Sequence, residues 1–454
     1  MVIILKIKIP NDVQFLLDKL ENAGYEAYIV GGCVRDSIMN RVPHDWDICT
    51  SARPNEIFEV FKDEYCIPTG IEHGTITVFK HESAYEITTY RIDGKYSDNR
   101  HPDSIQFTSN LIEDLKRRDF TINAIAYNLK KGIIDPFNGM RDIKDEQIAC
   151  VGLAEDRFKE DGLRILRAIR FCAQLNFMPS FDVLNQISNQ RYLLDNISKE
   201  RIHSELIKIV TSENLAIQMC LFPEIFSQII PQFKLCVGFD QRNKYHKWDV
   251  WTHTFKAVEN AENKDLIIKL AIMFHDIGKP ICYQTDDDGT RHFKGHGKVS
   301  ADLTDNILRN LKFSNKIRES VVQLVFYHDN TFVAREKHIK RWINKLGHEQ
   351  FLRLLDVREA DIKAHADEYI DVNLYQLNEV RKKYQELIEH ETCFTLKDLK
   401  INGLDLINLG FKEGKEIGRV LNLCFNLVLD GKIENEYASL LQIVNNELKV
   451  FECK

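Results

Sequence analysis

The sequence predicts an α+β fold, a small mixed-sheet head followed by a long, mostly helical remainder. Three observations predict it. Short β-branched and aromatic runs, Tyr28-Ile29-Val30 and the paired stretches within 74–90, lie in the first third of the chain among short helical patterns. Farther on, apolar residues recur at helical spacing, as in 157–177 and 198–210. At 454 residues the chain is also too long for one ordinary core, so two to four domains are expected.

The elements follow in order. Residues 11–23 read as a helix with Val13, Leu16, Leu17 and Leu20 on one face. Tyr28 to Val30 read as a strand that meets Gly31-Gly32, followed by a helix-like segment and then Asp45-Trp46-Asp47. On a strand, Asp45 and Asp47 point the same way and Trp46 points opposite. Two carboxylates on one face are costly unless something positive lies between them, and Mg²⁺ is the cation that accepts carboxylate oxygens while keeping places for phosphate oxygens. The glycines suit close approach of the backbone to a ligand, and the N–H groups opening the next helix attract anions. The stretch therefore reads as a phosphate-and-metal site.

Pro54 opens a further helix with Ile57, Phe58 and Phe61 apolar. Residues 74–90 read as a hairpin, with Glu86 on its second strand as a candidate third carboxylate for the metal; an exposed strand charge is the equally available alternative. Residues 92–104, with Lys95, Arg100 and His101, have the composition of a mobile loop. Arg117-Arg118-Asp119 are expected to stand before an apolar-periodic helix through Phe120, Ile122, Ala124 and Ile125, a pattern that suits triphosphate and ribose contacts.

The turn-rich residues 132–143 close the first domain, and 157–177 read as one continuous helix with Asp161 and Arg164 projecting together at its start. That pair permits a specific reading. Cytosine and adenine both offer an amino donor beside a ring-nitrogen acceptor, so a carboxylate can take the amino hydrogen while a guanidinium donates to the ring nitrogen. Uracil and guanine present the opposite polarity there. An ordinary intrahelical salt bridge is the plainer alternative. In 198–210, Ser198 is the expected N-cap and Glu205 is expected near Arg201.

Residues 240–365 hold a second constellation: His253, His275-Asp276, His296, His328 and Asp361. Imidazoles with adjacent carboxylates suit a divalent transition metal that activates water against a phosphoester, and Lys279 is placed to contact a phosphate. The tail, 366–454, reads as helical, with Gly410, Gly414 and Gly418 around a helix start.

Composition excludes several classes. Hydrophobic content of 44% and charge of 28% describe a soluble globular protein. The apolar N-terminal run is broken by Lys6 and Lys8, is too short to span a bilayer, and lacks a signal-peptide pattern, so no membrane association and a cytoplasmic location are expected. Eleven scattered cysteines with no CxxC argue for reduced thiols. The formal charge of −7 does not advertise a nucleic-acid binder, although local patches decide phosphate contact.

In this order, GGCVRD, the DWD pair, RRDFTINAIA, the DPFNG turn and EDGLRILRAIRF resemble the class II tRNA nucleotidyltransferase and bacterial poly(A) polymerase family, over residues 28 to about 210. The HD part resembles the HD-superfamily phosphohydrolases, and INGLDLINLG…GKEIGRVL resembles the C-terminal tRNA-binding segment of CCA-adding enzymes. The family usually has an aliphatic residue where this chain has Trp46.

The resemblance implies a nucleotidyltransferase head over 1–144, a helical neck with a base-reading template over 145–235, an HD phosphohydrolase-like domain over 236–365 and a tRNA-binding tail over 366–454. It implies that Asp45 and Asp47 hold Mg²⁺. Gly31, Gly32 and Arg35 would support the triphosphate. Arg117, Arg118, Asp119 and Asn123 would meet sugar and phosphate, and Asp161 with Arg164 would read the base. The expected function is addition of CCA to the tRNA 3′ end from CTP and ATP, with Mn²⁺, Ni²⁺ or Mg²⁺ at the HD site and hydrolysis of phosphomonoesters or 2′,3′-cyclic phosphates there. A poly(A) polymerase, an enzyme adding only CC or A, and an HD phosphohydrolase with a non-catalytic head remain open at this point.

Overall fold

In the computed structural model, which describes residues 6–94, 96, 102–389 and 394–452, Ala27–Val30 (β1) is buried along its whole length. Strands Ile48–Thr50 (β2), Tyr65–Gly70 (β3), Thr75–Lys80 (β4) and Ser83–Thr89 (β5) join it. Arg91–Asp93 (β6) and Ile105–Phe107 (β7) form a separate antiparallel ribbon. Ala126–Asn128 (β8) and Gly132–Ile134 (β9) complete a seven-stranded mixed sheet of order β3-β4-β5-β2-β1-β8-β9. Its one parallel pair, β2 with β5, sets Ile48 opposite Ile87.

The chain divides into two compact units, Met1–Lys234 and Leu235–Lys454. In the first, the sheet is accompanied by Asn11–Asn22 (α1), Gly32–Ile38 (α2), Pro54–Val60 (α3), Leu111–Lys116 (α4) and Gly139–Lys144 (α5). The unit continues through Ala154–Glu160 (α6), Leu163–Leu175 (α7), Phe181–Asn189 (α8), Lys199–Val210 (α9), Leu215–Leu221 (α10) and Pro223–Ile229 (α11). Val13, Leu16, Leu17 and Leu20 of α1 are buried, as their spacing predicts.

The second unit is almost wholly helical. Val250–Glu259 (α12), Leu266–Phe274 (α13), Lys279–Cys282 (α14), His296–Asn310 (α15), Asn315–Tyr327 (α16), Glu336–Leu346 (α17) and His348–Ile362 (α18) enclose its polar cluster. Asp367–Glu389 (α19), Gly403–Asn408 (α20), Lys415–Leu429 (α21) and Tyr437–Glu452 (α22) follow, the last two meeting in a core around Leu406, Val420 and Leu440. No helix among the described residues is long and apolar enough to cross a membrane.

The structure departs from the sequence reading in four places. Strand β2 begins at Ile48, so Asp45 and Asp47 lie on the segment leading into it, tied at one point by the Val30 N–H bond to the Asp47 carbonyl at 3.0 Å. Arg117-Arg118-Asp119 follow a helix instead of opening one: α4 ends at Lys116, and residues 121–123 make a single 3₁₀ turn before β8. Phe120 to Tyr127 are all buried, and a short run buried on every side carries no period that separates strand from helix. The helix over 157–177 is broken at Asp161, which adopts an extended backbone (φ −149°, ψ 105°) between α6 and α7. Gly162 at the break packs so closely that a Cβ there would lie 2.9 Å from Leu193 Cβ. Lastly, Ser198 precedes α9 without a side-chain capping bond, and Glu205 faces Arg170 at 3.2 Å instead of Arg201. Lys95, Arg100 and His101 lie outside the described residues.

Candidate active sites

In the first unit, the parallel register of β2 and β5 carried one residue back sets Asp47 beside Glu86. Loss of surrounding water raises the Asp47 carboxyl above its ordinary range; Arg118 opposes this, and Glu86 and Asp45 add to it. Asp47 thus lies in the field of both other carboxylates, where a cation would be favoured. The donor set is all oxygen, which fits a hard cation such as Mg²⁺.

Gly31 precedes α2 with φ 81°, a left-handed conformation open to glycine. A Cβ at Gly31 would stand 3.2 Å from Arg118 Nη1 and 3.8 Å from the Asn123 carbonyl; a Cβ at Gly32 would stand 3.7 Å from Arg35 Nη2. The bare glycines therefore let arginines close over the backbone. Arg35 donates to Asn123 Oδ1 at 2.7 Å and to Asp36 at 2.9 Å. Arg117 donates to buried Asp114 at 3.0 Å, and Arg118 lies 3.5 Å from the same carboxylate. Burial alone would raise the Asp119 carboxyl, but Arg167 and Arg164 hold it at about 2, helped by hydrogen bonds from Arg167 and the Phe120 N–H.

Asp161 and Arg164 line one cavity of about 270 Å³ with Arg91, Asp93, Tyr96 and Arg117. Their side chains do not bond to each other. Arg201 of α9 donates to Asp161 through two hydrogen bonds of 3.1 and 2.7 Å. Arg164 donates to Glu160 at 2.5 Å and to the Arg157 carbonyl at 3.1 Å. The plain reading, an Asp161–Arg164 salt bridge within one helix, is replaced by two independent tethers.

In the second unit, six residues singled out from the sequence meet in one buried cluster. His253 Nε2 lies 3.2 Å from His275 Nε2 and 3.0 Å from Asp361 Oδ1. His296 Nε2 lies 3.0 Å from His328 Nε2. Asp276 stands between these groups, with Oδ2 3.1 Å from His275 and Oδ1 3.4 Å from His296 and 3.6 Å from His328. In each of the four imidazoles Nδ1 faces a backbone carbonyl, of Ala364, Ile272, Phe293 and Val325 in turn, at 2.7 to 3.2 Å. A carbonyl only accepts, so Nδ1 carries the hydrogen and the Nε2 lone pairs point inward at one another. Two sets, His253/His275/Asp361 and Asp276/His296/His328, each have their donor atoms within 4.8 Å. This mixed nitrogen and oxygen set fits a divalent transition metal.

Burial alone would lower the His275 imidazole, but Asp276 and Asp361 raise it to about 10; the same carboxylates that suit a cation otherwise hold protons. Lys279 does not point freely at a substrate. Its ammonium lies 2.7 Å from Asp276 and donates to Gln241 at 2.8 Å.

Several residues of both sites were not singled out from the sequence. His246 and His365 form a further set with His253 and line a cavity of about 570 Å³ with Lys294, Arg358 and Asp276. His365 had a signal, standing four residues beyond Asp361; His246 lies in a loop without periodicity. Asp114 stands three and four residues before Arg117 and Arg118, so its role was legible from spacing. Arg167 and Arg201 reach their carboxylates across 48 and 40 residues, which no local pattern encodes.

The chain matches the family described as Poly A polymerase head domain over residues 27–149. It matches Probable RNA and SrmB- binding site of polymerase A over 176–234, and tRNA nucleotidyltransferase domain 2 putative over 297–444. It is 34% identical over 434 residues to the CCA-adding enzyme of Lactobacillus delbrueckii subsp. bulgaricus, covering 94% of this chain and 96% of that one. It is likewise 34% identical over 444 residues to the CCA-adding enzyme of Ligilactobacillus salivarius, covering 97% and 96%. Among solved structures, the Bacillus stearothermophilus CCA-adding enzyme in complex with CTP superposes with a TM-score of 0.70 at 27% identity, over 98% of this chain and 99% of that one. With relatives of this identity along nearly its whole length, the chain belongs to the family of CCA-adding enzymes.

Proposed function

We propose that this nucleotidyltransferase builds the CCA end of tRNA in the cytoplasm from CTP and ATP, with Asp45, Asp47 and Glu86 as its reaction centre. The observation that supports this most is the convergence of these three carboxylates with Arg118 beside the bare backbone of Gly31. Asp45 and Asp47 would hold Mg²⁺, which when bound supplies acidification of the RNA 3′-hydroxyl and charge neutralisation on the leaving pyrophosphate. Arg118 and Arg35 bring fixed positive charge to the triphosphate, and the hydrogen bond from Arg35 to Asn123 keeps that guanidinium in place. Asp161 accepts from the amino group of cytosine or adenine, and Arg164 donates to the ring nitrogen. Arg201 and Glu160 hold those two groups at one cavity from opposite partners.

The test offers tRNA lacking its last three, two or one nucleotides with CTP, ATP, UTP and GTP separately. Ordered addition of C, C and A, abolished in Asp45→Ala with tRNA binding retained, is the expected result. Runs of A, arrest after CC, or full incorporation by Asp45→Ala would each sink the reading.

A second reading applies to the other unit: a metal-dependent phosphohydrolase acting on phosphomonoesters or 2′,3′-cyclic phosphates. The four inward-facing Nε2 atoms around Asp276 favour it, because lone pairs about 3 Å apart have no partner but a proton or a cation.

A further inference from the structure

Phe171 of α7 is surrounded by three guanidinium groups. The Cζ atoms of Arg35, Arg167 and Arg170 lie 5.3, 5.6 and 4.4 Å from the centre of its ring. The ring is nearly fully buried and makes a T-shaped contact with Phe120, ring centres 5.5 Å apart. The three arginines arrive from two elements. Arg35 is on α2, beside the glycine pair; Arg167 and Arg170 are on α7.

Each cation has one carboxylate of its own: Asp36 for Arg35, Asp119 for Arg167 and Glu205 for Arg170. Those ion pairs set where each guanidinium is anchored. They leave unexplained why three like charges gather round one point, since like charges repel most where water is scarce. An aromatic face supplies the missing attraction: its quadrupole is negative above and below the plane, and guanidinium groups stack on it. An aliphatic side chain of similar volume would fill the space and offer no such field.

We propose that Phe171 is a positioning residue for nucleotide binding: its ring aligns Arg35 and Arg167, on either side of the Asn123–Asp119 segment, for the phosphates and sugar of the incoming CTP or ATP. The proposal rests on the assignment of the head as the nucleotide site. Arg35 donates to Asn123, and Arg167 donates to Asp119, which also lies 3.5 Å from the Asn123 amide. The ring therefore touches the guanidinium at each end of one polar chain, Arg35–Asn123–Asp119–Arg167. Phe171 touches no reacting atom in this scheme; it acts through the arginines.

The experiment replaces Phe171 with 3,5-difluoro- and 3,4,5-trifluorophenylalanine, which keep the shape and drain the ring face, and with leucine. The KM for CTP and for ATP should rise stepwise with fluorination, to about tenfold for the trifluoro ring and for Phe171→Leu, while kcat stays within about twofold and the KM for tRNA is unchanged. The melting temperature of the fluorinated proteins should match that of the wild type. An unchanged nucleotide KM across the fluorinated series, or a loss confined to kcat, overturns the proposal. Because Phe171→Leu alone can lose activity by misfolding, the fluorinated series decides. Failure of the wild-type protein to add C, C and A would instead refute the reading of the head itself.

Discussion

Arg201, on a helix forty residues downstream, grips both carboxylate oxygens of Asp161 at 3.1 and 2.7 Å. A bidentate guanidinium pair fixes direction as well as distance. It holds Asp161 at the cavity that Arg164 also lines. Arg201→Ala should therefore act on choice of base more than on chemistry. The expected result is a loss of about tenfold in kcat/KM for CTP and ATP, the scale of one charge-assisted hydrogen bond, with relative gain of UTP and GTP. Single-nucleotide incorporation with all four triphosphates measures it. Uniform loss with unchanged selectivity would show that Arg201 only supports the fold.

Asp119 carries a prediction about acid sensitivity. Its carboxyl is held at about 2 against an ordinary value of 3.8. A group depressed in the folded state contributes stability that is present above its unfolded pKa and lost as pH falls through the folded one. The contribution is about 2 kcal/mol, complete above pH 5 and lost between about pH 4 and 2. Asp119→Asn should lower the stability of the first unit near neutral pH, and the difference from wild type should shrink through that window. Urea denaturation at several pH values checks it; a constant difference down to pH 2 would refute the assignment.

The buried imidazole cluster makes a separate prediction. His275→Ala removes one inward lone pair and should abolish hydrolysis of a 2′,3′-cyclic nucleotide and of a phosphomonoester, while CCA addition persists. Treatment with a chelator followed by Ni²⁺ or Mn²⁺ should restore hydrolysis in the wild type and leave the variant inactive. If protein loaded with either metal hydrolyses neither substrate, the cluster has no hydrolase role.

Much of this was legible in the residues. The helix over 11–22 and the hairpin carrying Glu86 follow from period and composition, because the one buries a well-marked face and the other pairs with its immediate neighbour; the helix before His275-Asp276 follows from its unbroken apolar run. The segment 120–128 misled for the opposite reason. It is buried on all sides, so hydrophobicity cannot distinguish a strand and a turn from a helix. The break at Asp161 was hidden because both flanking segments are helical and only Gly162 marks the join.

Local patterns in the residues marked where the candidate chemistries lie. Paired aspartates after a glycine turn, an Arg-Arg-Asp run and an HD dipeptide behind an apolar helix are short-range patterns, and short-range geometry suffices to read them. Tertiary structure alone decided how those groups are held: Arg201 on Asp161, Arg167 on Asp119, His246 and His365 beside His253, and three arginines on one ring. Apart from Arg167 and Arg170, which share α7 with Phe171, these contacts join residues tens of positions apart or through loops. Their energies depend on burial and distance, and both quantities exist only once the chain has packed.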